Sequence, residues 1–219
     1  MQEEKPGKIY TGKLVMAGTA AIVVLTTAIY LIYRYEPTII LSEYLSSHIH
    51  PTLFLLLMLL LPLVGVPITI FLVLVGIKFG IVQGLLLSSL IMAFHMAATY
   101  YLVHSFLRKW VAALLKPFNV SIPKFDDGKR KWPAVIFMLI PGLPYAAKNN
   151  LLAMAELGFV SYMVINWTAQ FGLSIPFIVL GGAVMEMDLK ILIIGLALLL
   201  AVFLLQHFLR KKYGNLKLS

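Results

Sequence analysis

Apolar residues fill six stretches of the chain, at positions 14–33, 53–75, 79–107, 133–155, 158–184 and 190–209. Runs such as Leu14–Ile32 and Ile191–Leu205 carry no charge and come near the roughly 20 residues a helix needs to cross a hydrocarbon core. The pattern predicts an all-α, polytopic membrane protein. Two of the six stretches differ from the rest. The 53–75 stretch contains Pro62, Gly65 and Pro67, and the 133–155 stretch contains Pro141, Gly142 and Pro144. Proline removes a backbone donor and clashes with the preceding turn, so paired prolines flanking a glycine stop a helix mid-stretch. Each leg is then too short to span, and the two stretches read as hairpins that enter and leave on one side.

Composition agrees. The chain is 61% hydrophobic and 12% charged, against about half and about a quarter in soluble domains. Its net charge of +9 would in a soluble protein suggest nucleic acid, but the basic residues flank apolar stretches: Lys5, Lys8 and Lys13, the segment 108–131, and Arg210, Lys211, Lys212 and Lys217. That is the pattern of cytoplasmic loops facing anionic lipid, and no base-reading motif accompanies it. With no cysteine, disulfides, thiolate metal sites and thiol catalysis are excluded. The first apolar stretch lacks a small-residue cleavage pattern and reads as a retained anchor.

Charge parity sets the topology. Were all six stretches to cross, with the N-terminus inside, segment 108–131, with seven basic and two acidic residues, would lie outside; this violates the positive-inside tendency. With 53–75 and 133–155 re-entrant, that segment and the basic tail both lie inside. The outer loops then hold Arg34, Glu36 and Glu43, and Glu186, Asp188 and Lys190. The expectation is four spanning helices and two oppositely oriented re-entrant hairpins, each followed by a long helix (79–107 or 158–184). This makes an inverted repeat of the kind seen in transporters. Three regions follow: residues 1–50 as anchor helix and outer loop, 51–184 as core, and 185–219 as last span and basic cytoplasmic tail. Between the halves, residues 108–116 read as an interfacial helix and Asp126-Asp127-Gly128 as a turn.

Gly76, Gly80, Gly84 and Ser88 recur every four residues, and His95 and Thr99 continue the same face. Asn166, Gln170 and Ser174 form a matching polar stripe in the second long helix. Close helix packing and interhelical hydrogen bonds account for both stripes; so does the lining of a substrate path. His95 is either a hydrogen-bonded core histidine or a proton relay. Lys148, beside Asn149 and Asn150, either snorkels to the interface or meets a lipid phosphate or a carboxylate. Lys78 reads as snorkelling to the outer interface, and Glu156 as solvated or paired with a base. Without HExxH, GxSxG, P-loop or carboxylate cluster, an enzyme, a metal site and a cofactor have no basis in the sequence.

The stretch LLPLVGVPITIFLVLVGIKFG (60–80) resembles the first signature of the VTT-domain membrane proteins, the superfamily of SNARE-associated Golgi proteins, in its DedA-like branch. LVHSFLRKWVAALL (102–115), LIPGLPYAAKNNLLAM (139–154) and FGLSIPFIVLGG (171–182) resemble later parts, in the right order, over residues 50 to 184. The resemblance implies two facing re-entrant hairpins in an inverted repeat. It also implies movement of lipids between leaflets, as relatives are linked to phospholipid scrambling and to recycling of undecaprenyl phosphate, some with proton coupling. Pro62, Pro67, Gly76, Gly80, Pro141, Pro144 and Asn149 carry over, with structural roles for Gly172 and Pro176. Where many relatives have arginines, this chain has Met138 and His104, and Thr69 and Ile70 stand where many have an acid. A proton-coupled, anion-binding mechanism built on those groups does not transfer; Lys148, His95 and His104 are the available substitutes.

The leading expectation is therefore a lipid transporter in a prokaryotic cell membrane, both termini cytoplasmic, a flippase or scramblase of phospholipid or polyprenyl phosphate. Its substrate-binding residues would be Pro62, Pro67, Gly84, His95, Pro141, Pro144, Lys148, Asn149, Asn166 and Gln170. The partners would be membrane lipids, with proton coupling through the histidine an option. The GxxxG spacing suits a homodimer as well as internal packing. A small-solute or ion transporter on the same scaffold, or a non-transporting assembly factor docking through 108–131, are the alternatives.

Overall fold

A computed structural model of the chain describes residues 49–105, 109, 113, 131–155 and 157–213, Val64 by its backbone alone. All of them belong to one compact unit, Leu45–Ser219. The expected anchor helix, the first outer loop, almost all of the interfacial helix, the Asp126–Gly128 turn, Glu156 and the end of the tail lie outside the described residues. Every regular element among the described residues is helical.

Helix α1, Pro51–Leu60, starts with proline in its first turn, where no intrahelical donor is lost, and the His50 ring accepts a hydrogen bond from the Thr52 amide (3.3 Å). Pro62 converts its end into a 3-10 turn, Leu61–Val64, closed by Gly65 at φ 105°. Pro67 then caps α2, Ile68–His104.

Helix α2 is not one rod. In a continuous helix, residues eight apart are separated by about 12 Å, yet a Cβ on Gly84 would stand 3.6 Å from the Gly76 Cα and 3.4 Å from the Val75 carbonyl oxygen. The chain folds back at Gly80, whose φ of 74° and ψ of −178° lie in a region open essentially to glycine alone. The first arm, 68–79, runs back along α1: the Phe54 ring lies 6.2 Å from Phe71 and 5.9 Å from Phe79, and Lys78 Nζ donates to the Ile49 carbonyl (2.8 Å). The second arm, 81–104, is about 36 Å long at 1.5 Å per residue, enough to cross a bilayer core.

The other proline pair acts in the same way. Helix α3, Trp132–Leu139, ends because Ile140, preceding Pro141, is extended (ψ 129°). Gly142 turns the chain at φ 133°, and Pro144 caps α4, Tyr145–Ala153. Helix α5, Phe159–Glu186, holds Pro176 internally and stops at Met187 in the left-handed region. Asp188 Oδ1 accepts from the amides of Lys190 (2.7 Å) and Ile191 (3.2 Å), starting α6, Leu189–Tyr213. Among the described residues three helices, α2, α5 and α6, are long and apolar enough to cross a membrane.

The largest interface joins α2 to α5, and glycine permits it. A Cβ on Gly76 would collide with the Ile178 carbonyl and stand 2.9 Å from the Gly182 nitrogen; one on Gly181 would run into the Val73 carbonyl. Met58, Leu72, Val75, Met92, Met96, Met138, Leu151 and Ile178 fill the core around this crossing. Large apolar side chains also cover the outside: Val82, Leu86 and Leu90 on α2, Val160 and Val164 on α5, and Ile193, Leu200, Phe203 and Leu204 on α6 are all exposed. His95, Lys148, Asn149, Asn166 and Gln170 are buried. An apolar exterior around a partly polar interior suits lipid as solvent.

Contacts sort the ends of the helices. Trp132 meets Tyr213 at 6.0 Å, Lys131 Nζ donates to Ser161 Oγ (2.7 Å), and the Tyr100 hydroxyl donates to the Leu157 carbonyl (3.3 Å). The ends of α2 and α6 and the starts of α3 and α5 therefore lie together, with Lys131, Arg210, Lys211 and Lys212. Glu186, Asp188 and Lys190 lie at the far end of α5.

Two expectations need correction. The first broken stretch extends to residue 79 rather than 75, because glycine at position 80 makes the reversal. Gly76 consequently does not share a helix face with Gly84 and Ser88; it sits on the other arm and packs against α5.

Candidate functional site

The two proline-broken segments meet at His95, on the second arm of α2. Its Nε2 lies 2.8 Å from the carbonyl oxygen of Leu59, in the last turn of α1, and its Nδ1 lies 3.4 Å from the hydroxyl of Tyr145, the first residue of α4. A carbonyl only accepts, so Nε2 carries hydrogen and donates; in the neutral ring Nδ1 then accepts from Tyr145. One imidazole thus joins the end of α1 to the start of α4.

Lys148, one turn further along α4, is 5% exposed. Its Nζ donates to the Met138 carbonyl (2.8 Å), in the last turn of α3, where helix carbonyls run out of intrahelical donors and the dipole favours a cation. No carboxylate pairs with it among the described residues. An ammonium removed from water without a counter-charge costs several kcal/mol, which one carbonyl offsets in part.

Asn149 lies beside it, and the Tyr162 hydroxyl, on α5, donates to the Asn149 backbone carbonyl (3.4 Å). Asn166 and Gln170 follow Tyr162 at one-turn intervals along the same face of α5. The Asn149 and Asn166 side chains each hydrogen-bond a tyrosine hydroxyl, Tyr145 and Tyr162; the interior also buries, without a partner, Asn149 Oδ1, Asn166 Oδ1, Gln170 Nε2 and, on α2, Ser88 Oγ. Each orphaned group costs about 1–3 kcal/mol.

The expected residues therefore divide. His95, Lys148, Asn149, Asn166 and Gln170 are buried polar groups of the interior. Pro62 is buried in the turn after α1; Pro141 is half-buried in the break after α3; Pro67 and Pro144 are exposed caps. A Cβ on Gly84 would stand 3.0 Å from the Ile178 side chain, so this glycine allows close packing near the reversal. Ser174 donates to the Phe171 carbonyl (2.7 Å) within its own helix. His104 is exposed, bonded to the Tyr100 carbonyl and stacked on the Tyr100 ring, away from this cluster. Lys78, expected to reach the outer interface, donates to the Ile49 carbonyl just before α1.

Tyr145 and Tyr162 were not among the expected residues, although each stands four positions before a named asparagine, Asn149 or Asn166, and so on the same helix face. Among the described residues no three His, Cys, Asp or Glu side chains gather as metal ligands. Set against family models, curated proteins and solved structures, the chain has no match in any of the three.

Proposed function

We propose that the chain is a membrane lipid transporter, a flippase or scramblase of the VTT-domain superfamily in its DedA-like branch, passing a phosphate-bearing headgroup between two re-entrant hairpins. The observation that carries this reading is the buried cation Lys148, with no carboxylate partner among the described residues, in an interior that also buries unpartnered amide atoms of Asn149, Asn166 and Gln170. Such groups are costly in lipid, and intramembrane ionisable residues mark substrate or ion pathways. A translocating headgroup offers the anion and the hydrogen bonds they lack.

In this reading α1 with the first arm of α2 forms one hairpin, and α3 with α4 the other. The far end of the first hairpin is tied at Ile49–Lys78 and its tip approaches His95; the second starts at Trp132, at the basic end, and its tip also approaches His95. Two hairpins entering from opposite faces and meeting mid-membrane, each followed by a long helix, make an inverted repeat. The basic end, with Lys131 and Arg210–Lys212, faces the cytoplasm of a prokaryotic cell by the positive-inside tendency. Both termini then lie inside the cell membrane's cytoplasmic face.

The test is reconstitution of the purified chain into liposomes with fluorescent phospholipid or polyprenyl phosphate in the outer leaflet. Faster leaflet exchange than in protein-free vesicles is expected for at least one class. Exchange equal to protein-free vesicles for both contradicts the proposal.

A further inference from the structure

We infer that the hydrogen bond from Tyr145 to His95 is a pH-sensitive latch between the two proline-broken segments, closed while the imidazole is neutral and released when it takes up a proton. Such a latch acts whatever cargo the chain carries, so it does not depend on lipid transport.

The latch ends a directed run of hydrogen bonds. His95 Nε2 donates to the Leu59 carbonyl (2.8 Å), which leaves Nδ1 to accept from the Tyr145 hydroxyl (3.4 Å). A phenol has one hydrogen. With that hydrogen on Nδ1, the Tyr145 oxygen can only accept from the Asn149 side chain, through Nδ2. The other end of this amide, Oδ1, is accordingly buried without a partner. The Tyr162 hydroxyl on α5 donates to the Asn149 backbone carbonyl (3.4 Å), so the same asparagine is tied to a third helix.

A proton arriving at His95 has one place to go, Nδ1, because Nε2 already carries hydrogen. There it meets the Tyr145 hydrogen head on. The phenol would have to swing that hydrogen away, and the Asn149 amide would have to turn to receive it on Oδ1. Turning the amide leaves Nδ2 without an acceptor, so one unmet group is exchanged for another.

Charge then decides. Helix α1, the 3-10 turn and α3 carry no ionisable side chain; α4 brings Tyr145 and the cation Lys148, and α5 brings Tyr162. On α2 itself Lys78 is held at the Ile49 carbonyl, and Tyr100, Tyr101 and His104 lie towards the basic end. The carboxylates among the described residues, Glu186 and Asp188, stand at the far end of α5. His95 is 0% exposed. In the closed latch an imidazolium would be a buried charge with no counter-charge, joined to a helix that already carries a buried cation, and such a charge is costly. Parting of the tips lets the ring reach water and removes that cost. Proton uptake and parting are therefore linked, each favouring the other.

The exposed Leu60 on α1 and the half-buried Leu143 before α4 flank the latch, and the chain has no cysteine. Leu60→Cys with Leu143→Cys thus places one spin-label pair on the two tips of the full chain, and dipolar EPR in phosphatidylcholine nanodiscs measures their separation at pH 8 and pH 5. For a ring that binds a proton with ordinary imidazole affinity only when the tips are apart, the ratio of parted to joined tips rises about 30-fold between those pH values. A longer distance should therefore grow in at pH 5. His95→Gln, which still offers a donor and an acceptor but takes no proton, should show the same distances at both pH values, and His104→Gln should respond as the wild-type chain does. No growth of a longer distance at pH 5, or growth that persists in His95→Gln, overturns the latch. Should His95→Gln fail to fold, Tyr145→Phe decides: without the hydroxyl the longer distance should already be present at pH 8, and wild-type distances with a wild-type pH response refute the assignment.

Discussion

Replacing Gly80 by alanine isolates the reversal in α2 from every other feature. A Cβ there meets no atom within 4 Å, so the substitution creates no clash, and its whole effect is the backbone conformation at φ 74°, ψ −178°. Holding a non-glycine residue in such a region costs about 1–3 kcal/mol, roughly a 5- to 150-fold loss in the folding equilibrium. Gly172→Ala is the control. It too has open space around its Cβ, but it lies in α5 without a positive φ, where alanine stabilises a helix by up to about 1 kcal/mol. Equilibrium unfolding by SDS in mixed micelles measures both, with tryptophan fluorescence as the signal: Trp167 on α5 donates to the Ser89 carbonyl on α2 (3.3 Å) and so reports on that interface. The two variants should move the midpoint in opposite directions. If Gly80→Ala is as stable as Gly172→Ala, position 80 is helical, α2 is a straight rod, and the packing of its first arm on α1 is wrong.

Gly181→Leu should be more severe, because its side chain would be driven into the Val73 carbonyl where α2 and α5 touch; the expected outcome is loss of folded protein in size-exclusion chromatography, and a monodisperse variant argues against the crossing. Tyr145→Phe removes the donor to His95 Nδ1 and should cost about 0.5–1.5 kcal/mol of stability, read by the same SDS titration; no change means the two tips are not joined there. The chain has no cysteine, so Ser161→Cys and Asp188→Cys can be labelled singly in sealed proteoliposomes of known orientation. They should react from opposite sides, and labelling from one side alone contradicts a span by α5.

The breaks in the chain were legible because their cause is local: Pro62, Pro67, Pro141 and Pro144 stop helices by missing donors and ring sterics, whatever surrounds them. The buried stripe of Asn166, Gln170 and Ser174 was equally legible from one-turn spacing. The grouping of Gly76 with Gly84 was not, since four-residue spacing presumes a continuous helix and a glycine inside it reads the same whether it helps the helix pack or reverses it. His95 could be named as an interior polar residue, but its bonds to Leu59 and Tyr145 join residues 36 and 50 positions away, and no local pattern encodes them. Lys148 was ambiguous between snorkelling and an interior role because its environment depends on where α3 ends relative to α4. That is a tertiary fact, and Met138 contributes to it only a backbone carbonyl, which any residue would carry.

The central claim is that the interior amides are kept for a passing ligand at the expense of stability. Asn166→Leu tests it most directly, since leucine keeps the branched four-atom shape of the side chain and removes the amide with its unpartnered oxygen. Stability by SDS titration and lipid exchange in proteoliposomes are measured on the same preparation. The account predicts a variant more stable by about 1–3 kcal/mol whose lipid exchange falls to the level of protein-free vesicles. A variant that is less stable, or one that exchanges lipid as fast as the wild-type chain, contradicts it.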